Sequence, residues 1–201
     1  MKSKIIILLL LCANNIFAQP PVLSVTNLTN PAMDPRNDPN FLKEGNYAKD
    51  INNERDQYVG LWRYNQDGVL FELKIEKRDK FIRKYEYGGT IFSYKYRDVI
   101  IFKYHLVKNG TEIYNNLDAI IPEDYLSTAL KYGIHDFVNG SLVDATHNVC
   151  GNVTIKKLTP DLISFNLASG EYYYLNPDSY YETLDEIFTI PLDGIEMEKV
   201  N

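Results

Sequence analysis

Hydrophobic and polar residues alternate over short stretches in most of the chain. In the clearest stretch, Val69, Phe71, Leu73 and Ile75 share one side of an extended backbone, and polar residues stand between most of them. Because successive side chains of a strand point to opposite faces, this period of two predicts a strand with one buried and one solvated face. Comparable stretches bring the total to roughly ten short strands. The others lie at 58–64, 81–87, 90–96, 99–107, 111–114, 152–158, 162–167, 171–175 and 188–200.

Turn sequences separate several of these stretches. NQDG at 65–68, GG at 88–89 and NG at 109–110 tolerate the positive φ values that two-residue hairpin turns require. TPD at 159–161 is a further turn signal. Strands joined by such turns pair antiparallel with their neighbours, so the sequence predicts a meander.

One segment after the sixth predicted strand has a different pattern. Pro122 and the two acidic residues after it form a good first helical turn, and Leu126, Ala129 and Leu130 follow at helical spacing. Gly133 then supplies a stop. We expect one short helix here.

The beginning of the chain has the pattern of a secretory signal peptide over residues 1–18. Lys2 and Lys4 precede an apolar run at 5–13, and a small residue stands before Gln19. The apolar run is too short to cross a bilayer, which takes about twenty residues. We therefore expect an exported protein, secreted or periplasmic, with no membrane span after signal removal.

The stretch 19–57 shows neither the period of two of a strand nor the period of 3.6 of a helix, and it is rich in Pro, Asn and Asp. Its Asp-Pro pairs at 34–35 and 38–39 favour turns and extended backbone. We expect an irregular arm here, packed along a single β-domain that spans 58–201.

Together these elements predict an all-β protein with one short helix. An antiparallel meander that closes, or half closes, into a barrel leaves the fewest exposed strand edges, so a barrel is the first expectation. A β-sandwich is the alternative, because alternation does not distinguish one closed sheet from two packed sheets.

The charge balance narrows the choice of partner. With 21 basic and 27 acidic residues the chain has a net charge of −6, and loss of the two lysines in the predicted signal lowers it to −8. Such a chain repels polyanions, so we expect no nucleic-acid partner. Beyond the predicted signal Cys150 is the one cysteine, which excludes an intrachain disulfide.

Several motifs carry a family resemblance. YVGLW at 58–62, DVII at 98–101 with KNG at 108–110, and IPLDGI at 190–195 resemble an uncharacterised family of small secreted proteins of Bacteroidetes-type Gram-negative bacteria, known as a domain of unknown function. The resemblance implies export and supplies no catalytic residues. The GLW sequence within the first motif is also similar to the opening of lipocalin-like barrels.

Candidate catalytic and metal-binding groups are few. Cys150 and His147, with His135, have the residue types of a nucleophile and its base, but no known local signature surrounds them. The same residues with His105 lack the paired close spacings of a zinc site. The acidic residues of the 178–186 stretch lack the ladder of a calcium loop; they are Asp178, Glu182, Asp185 and Glu186. We predict no cofactor, no metal and no assigned catalytic residue, and keep a hydrolase as an alternative.

Tyrosine is the unusual part of the composition. The chain has 16 Tyr, 9 Phe and 1 Trp, and aromatic residues alternate on neighbouring predicted strands, where they build a shared face. Tyrosine joins a large apolar body to a polar tip, which suits sugars, amphipathic molecules and protein partners. It is also an ordinary residue of half-exposed sheet faces.

The main functional hypothesis is a non-enzymatic binding protein for a small amphipathic ligand or a glycan. Its predicted pocket is lined by Trp62, Tyr94, Tyr96 and Tyr104. An envelope protein-interaction module that uses an exposed aromatic patch is the alternative from another class.

Overall fold

The computed structural model describes residues 19–122, 126–174, 187–192 and 194–200, with the backbone alone described at 169–174. The predicted signal peptide at 1–18 lies outside the described residues, as do the four acidic residues of the 178–186 stretch.

The described residues form eleven strands and two 3₁₀ turns, Pro35–Asn37 and Asp56–Tyr58. The strands are β1 (Ser24–Asn27), β2 (Asn46–Lys49), β3 (Gly60–Gln66), β4 (Val69–Tyr87), β5 (Thr90–Lys108), β6 (Thr111–Asn115), β7 (Ser127–Lys131), β8 (Phe137–Asp144), β9 (Val149–Thr159), β10 (Leu162–Tyr174) and β11 (Ile195–Val200). The prediction of an almost entirely β protein is confirmed.

Eight of these strands in the described part of the chain are hydrogen-bonded in a ring. The order is β5-β4-β3-β11-β10-β9-β8-β7, and β7 pairs with β5 to close it. The strands β6 and β2 pair with β5 outside the ring, and β1 pairs with β2. Pairing within the ring is antiparallel, whereas β1–β2 and β2–β5 are parallel. Over the paired residues, each strand of the ring has a hydrogen-bonded neighbour on both edges.

Three predicted hairpin turns are confirmed. Asp67–Gly68, Gly88–Gly89 and Asn109–Gly110 join β3 to β4, β4 to β5 and β5 to β6. Their residues have φ values from 50° to 79°, as expected for two-residue turns that match the twist of the flanking strands.

The strands β4 and β5 are longer than the alternation predicts. Each extends over 19 residues, where the pattern indicates two shorter strands. The pairing shifts register between Arg78 and Phe81, and Lys80 there has a φ of 52°. A bulge interrupts the alternation of hydrophobic and polar residues but not the hydrogen bonding between the strands. The sequence of one continuous strand therefore looks like that of two shorter strands.

The predicted short helix is wrong in the part that the structure describes. Residues 127–131 form the strand β7, in which Ser127, Ala129 and Lys131 are buried and the residues between them are half-buried. β7 pairs with β5 on one side and β8 on the other. So short a stretch fits both the strand period of two and the helical period of 3.6. Hydrogen bonding along both edges makes it a strand. The strand β8 lies in the segment where the sequence pattern predicts no strand.

The core consists mostly of inward-facing residues of the ring strands, joined by Tyr58, Ile187, Phe188 and Ile190. It includes Trp62, Phe71, Phe102, Tyr104 and Phe165, each at most 2% exposed. Phe71 lies between Tyr104 and Phe165, with ring centroids 6.1 and 5.4 Å away. Burial of these aromatic side chains supplies much of the stabilisation, since each removes a large apolar area from water.

The segment 19–57, predicted to be an irregular arm, adds β1 and β2 to the sheet. Leu28, Phe41 and Ala48 of this segment form a second buried cluster. Arg55 is buried at its end, with its guanidinium bonded to Asp50 and to the Val99 carbonyl oxygen. The arm is therefore held by both apolar contacts and a buried ion pair.

Candidate functional site

A cleft opens on the side of the ring where β7 is short. Along one edge of β5, β7 pairs with residues 100–102 and β6 pairs with residues 105–108. β8 runs on to Asp144, past the level of Ser127 where β7 begins. The space between β5, β6 and β8 has a volume of about 690 Å³, which is in the range of small-molecule sites.

The cleft combines an aromatic wall with a hydroxyl rim. Phe102, Tyr104 and Tyr114 supply the rings, and the ring centroids of the two tyrosines are 4.7 Å apart. The hydroxyl-bearing side chains Ser127, Thr128 and Ser141 come from β7 and β8. An apolar wall with a few converging polar groups is the arrangement that binds an amphipathic molecule.

Hydrogen bonds across the cleft fix Tyr104. Its hydroxyl oxygen lies 3.0 Å from the Ala145 backbone nitrogen, whose N–H it accepts, and 3.5 Å from the Asp144 carboxyl group. Burial raises the pKa of Tyr104, and Asp144 acts in the same direction. The hydroxyl therefore stays neutral at physiological pH.

Trp62, which the sequence predicts in the pocket, lies in the core. Its side chain is fully buried, and its Nε1 donates a hydrogen bond of 2.7 Å to the Tyr58 carbonyl oxygen. The ammonium groups of Lys157 and Lys199 lie 4.6 and 5.4 Å from the ring centroid. These contacts give Trp62 a structural role.

Tyr94 and Tyr96 are also placed away from the cleft. Their rings meet edge to face with centroids 5.9 Å apart. The Tyr94 hydroxyl donates to the Pro21 carbonyl oxygen at 2.9 Å, and the Tyr96 hydroxyl donates to that of Pro20. Of the four predicted residues, Tyr104 lines the cleft and the other three serve packing or anchor the arm.

The polar side of the cleft comes from residues that the sequence pattern does not predict as binding residues. Ser127 lies in the segment predicted as a helix, and Ser141 lies in β8, which was not predicted. Ser127 Oγ accepts a hydrogen bond of 2.9 Å from the Val143 backbone N–H, which joins β7 to β8 at the rim. No local sequence signal marks these residues, because strand pairing brings them together.

Cys150 lines the cleft as a partly buried thiol. Burial raises the pKa of this thiol, against a smaller opposite effect of its hydrogen bond with Ser141. His147 Nδ1 lies 3.0 Å from the Ile187 carbonyl oxygen, and the His135 ring stacks on Phe137 at 4.8 Å. A raised pKa leaves the Cys150 side chain as a thiol at neutral pH, and the thiolate is the form that acts as a nucleophile.

The chain is similar to one family of proteins over nearly its whole length. The model of DUF6705, a family of unknown function, matches residues 1–200. The chain belongs to the DUF6705 family. This confirms the resemblance to an uncharacterised family. No curated protein and no solved structure matches this DUF6705 chain.

Within residues 19–122, 126–174, 187–192 and 194–200, no three His, Cys, Asp or Glu side chains are placed to hold a metal ion. The His105 Nδ1 atom lies 2.9 Å from a Glu72 carboxyl oxygen. No helix among the described residues is long and apolar enough to cross a membrane.

A second hollow, of about 520 Å³, lies over β3 and β11 of the DUF6705 chain. Charged side chains dominate its lining, among them Arg63, Glu196, Glu198 and Lys199. It lacks the aromatic wall of the first cleft, so we take the cleft between β5, β6 and β8 as the candidate site.

The turn between β4 and β5 carries an exposed aromatic cluster. Tyr85, Tyr87 and Phe92 are 68%, 77% and 59% exposed, and the rings of Tyr85 and Phe92 lie 6.1 Å apart. Exposed apolar clusters of this kind often mark interaction surfaces.

Proposed function

We propose that this DUF6705 member is an exported, non-enzymatic binding protein for a small amphipathic ligand or a glycan. The cleft between β5, β6 and β8 is the proposed binding site, and the ring of strands is its barrel-like, lipocalin-like wall. The single observation that carries the proposal is the volume of about 690 Å³ beside three aromatic rings and three hydroxyl groups.

The cleft suits an amphipathic molecule for two reasons. The half-buried Tyr114 presents a ring face on which an apolar body or a sugar face stacks, and the buried Tyr104 packs behind it with a centroid distance of 4.7 Å. Ser127, Thr128 and Ser141 supply hydroxyl groups that both donate and accept hydrogen bonds. The amphipathic ligand is the better fit, since the wall is more apolar than polar.

The test uses N-phenyl-1-naphthylamine, a neutral apolar probe whose fluorescence rises in a water-poor site. We expect saturable binding, and we expect Ser141→Trp to abolish it because the new ring fills the cleft from its exposed rim. Asn166→Trp is the matched control, since Asn166 is an exposed polar residue of β10 outside the cleft. Absence of binding to the parent protein, or an equal loss in both variants, would contradict the proposal.

Export is the second part of the proposal. It is supported by the signal pattern at 1–18 and by the anchoring of Pro20 and Pro21 through Tyr96 and Tyr94, which holds the chain just after the expected cleavage point. N-terminal sequencing of the protein from its native host should return Gln19 as the first residue. A retained Met1 in the mature protein would contradict export.

A second candidate function, an envelope protein-interaction module, is favoured by the exposed cluster of Tyr85, Tyr87 and Phe92. Three basic residues and one acidic residue flank this cluster, namely Arg83, Lys84, Lys95 and Glu86, which pairs with Lys84. The net charge around it is positive, so the partner would present an acidic surface. Changing the three aromatic residues to Ser should abolish salt-sensitive capture of one defined partner, while Leu42→Ser, at a residue 65% exposed in the arm, should leave it intact. Equal capture by both variants would exclude this role for the cluster.

A further inference from the structure

A smaller hollow adjoins the cleft on the outer face of the sheet, and it contains two arginines. It has a volume of about 160 Å³, the size of a single small group rather than of a whole ligand. Arg83, Arg97, Thr128, Asn139 and Ser141 supply its polar lining, and apolar residues of β4, β5 and β7 form its floor.

Strand pairing places both arginines on the same face. Phe81 of β4 stands opposite Arg97 of β5, and Arg83 stands opposite Lys95. Directly opposed residues share a face, as do residues two positions apart in one strand, so Arg83 and Arg97 are diagonal neighbours. Lys84, the next residue of β4, points to the other face.

The two guanidinium groups have no carboxylate partner among the described residues, in contrast to Arg55 and Arg63, which pair with Asp50 and Glu72. Arg97 is half-buried, with its guanidinium 5.5 Å from the Phe41 ring centroid. Burial lowers the pKa of Arg97, and the neighbouring Arg83 acts in the same direction. Half-buried arginine is usually neutralised by a carboxylate, so the half-buried Arg97 favours an anion beside it, and the exposed Arg83 adds a second positive charge at the mouth of the hollow.

The hollow and the cleft are continuous at their shared residues. Arg83, Thr128 and Ser141 line both. A single molecule can therefore place an apolar body against Tyr114 while a group attached to it reaches the arginines.

We propose that the arginine pair binds the anionic group of an amphipathic anion, a carboxylate, sulfate or phosphate on an apolar or ring-bearing body. The inference rests on the proposed binding function and specifies its ligand class. Guanidinium groups bind such oxyanions through two parallel hydrogen bonds. The hydroxyl groups of Thr128 and Ser141 and the Asn139 amide add neutral donors around the same oxygens.

The experiment compares two fluorescent probes of similar size and different charge. 8-Anilinonaphthalene-1-sulfonate is an anion, and N-phenyl-1-naphthylamine is its neutral counterpart. We expect Arg83→Gln and Arg97→Gln each to weaken sulfonate binding about tenfold, the order of magnitude of a charge-assisted hydrogen bond. The neutral probe should change less than about twofold, because the arginines leave its apolar contacts untouched.

Lys84→Gln is the matched control. It removes the same charge one residue from Arg83, on the opposite face of β4, and should leave both affinities within about twofold. A loss of sulfonate binding equal to that of Arg83→Gln would show general electrostatic attraction and overturn the proposal. So would sulfonate binding that neither arginine variant changes.

Two further measurements keep the outcome interpretable. Inorganic phosphate should displace the sulfonate probe and not the neutral one, and displacement of neither would contradict an oxyanion site. Arg97→Lys keeps the charge of a half-buried residue and loses the paired hydrogen bonds, so it should weaken sulfonate binding in a folded protein. Unchanged binding would contradict the proposal.

If neither probe binds the parent protein, the proposed binding function fails. Binding of both probes with no effect of the arginine variants refutes the anionic assignment alone.

Discussion

Removal of the buried cation Arg55 should be among the most damaging changes in the arm. Its side chain is 4% exposed, and its guanidinium lies 2.9 Å from an Asp50 oxygen, 3.3 Å from Asp98 and 2.7 Å from Asp79. It also donates a 2.9 Å hydrogen bond to the Val99 carbonyl oxygen. Arg55→Met keeps much of the side-chain volume and leaves Asp50 and Asp98 buried without their cation.

The expected loss is about 3–5 kcal/mol in the free energy of unfolding at neutral pH, the usual cost of breaking a buried ion pair on one side. Burial opposes ionisation of Asp50, but the hydrogen bonds from Arg55, with those from Glu54 and Thr29, outweigh it, so the pKa of Asp50 lies below its usual value. A depressed folded-state pKa contributes stability that is present above the unfolded value near 3.9 and is lost as the pH falls through the folded value. Loss of the Arg55 side chain weakens this depression, so the deficit of the variant should shrink at acid pH.

Urea unfolding measures both effects. The single tryptophan, Trp62, is fully buried and reports unfolding by its fluorescence. The free energy of unfolding should differ between parent and variant by about 3–5 kcal/mol at pH 7 and by less at about pH 2.5, well below the unfolded carboxyl value of about 3.9. Arg36→Met is the control, because Arg36 pairs with Asp34 in the same arm at the surface, and its unfolding curve should match the parent. A loss below about 1 kcal/mol at pH 7, or an equal loss at both pH values, would refute the reasoning.

Three further substitutions test the packing around the site. Gly140→Ala should lower the free energy of unfolding by about 1–3 kcal/mol or more, because the new Cβ would lie 2.2 Å from a carbonyl oxygen of β7; a melting temperature equal to that of the parent would contradict the close approach of β7 and β8. Trp62→Phe should cost about 2–3 kcal/mol through lost contacts and an unpaired Tyr58 carbonyl, and urea unfolding followed by circular dichroism would measure it. Asp144→Asn should cost about 2–3 kcal/mol and speed amide hydrogen exchange at residues 189–190, whose backbone N–H groups donate to that carboxyl group; unchanged exchange there would refute the anchoring role.

The local parts of the fold were predictable because their signals are local. The alternation at Val69–Ile75 indicates β4, and the NG and GG turns place the hairpins around β5. The aromatic side of the cleft follows partly from the same alternation, which predicts Tyr104 as a pocket residue. The alternation also predicts Trp62 there, but Trp62 packs in the core away from the cleft, because alternation identifies a shared face without showing what covers it.

Pairing between distant segments decided the strand β7, the cleft and the closure of the ring. Residues 127–131 form a strand because β5 and β8 pair with both of its edges, a condition that no local pattern contains. The cleft exists because β7 is shorter than its neighbours, and its hydroxyl groups and Arg83 come from strands far apart in sequence. The sequence by itself determined the strand periodicity, the hairpin turns and the acidic charge, since these depend on adjacent residues. The tertiary structure alone decided how the strands close into a ring and which side chains face the gap, since these depend on contacts across the whole chain.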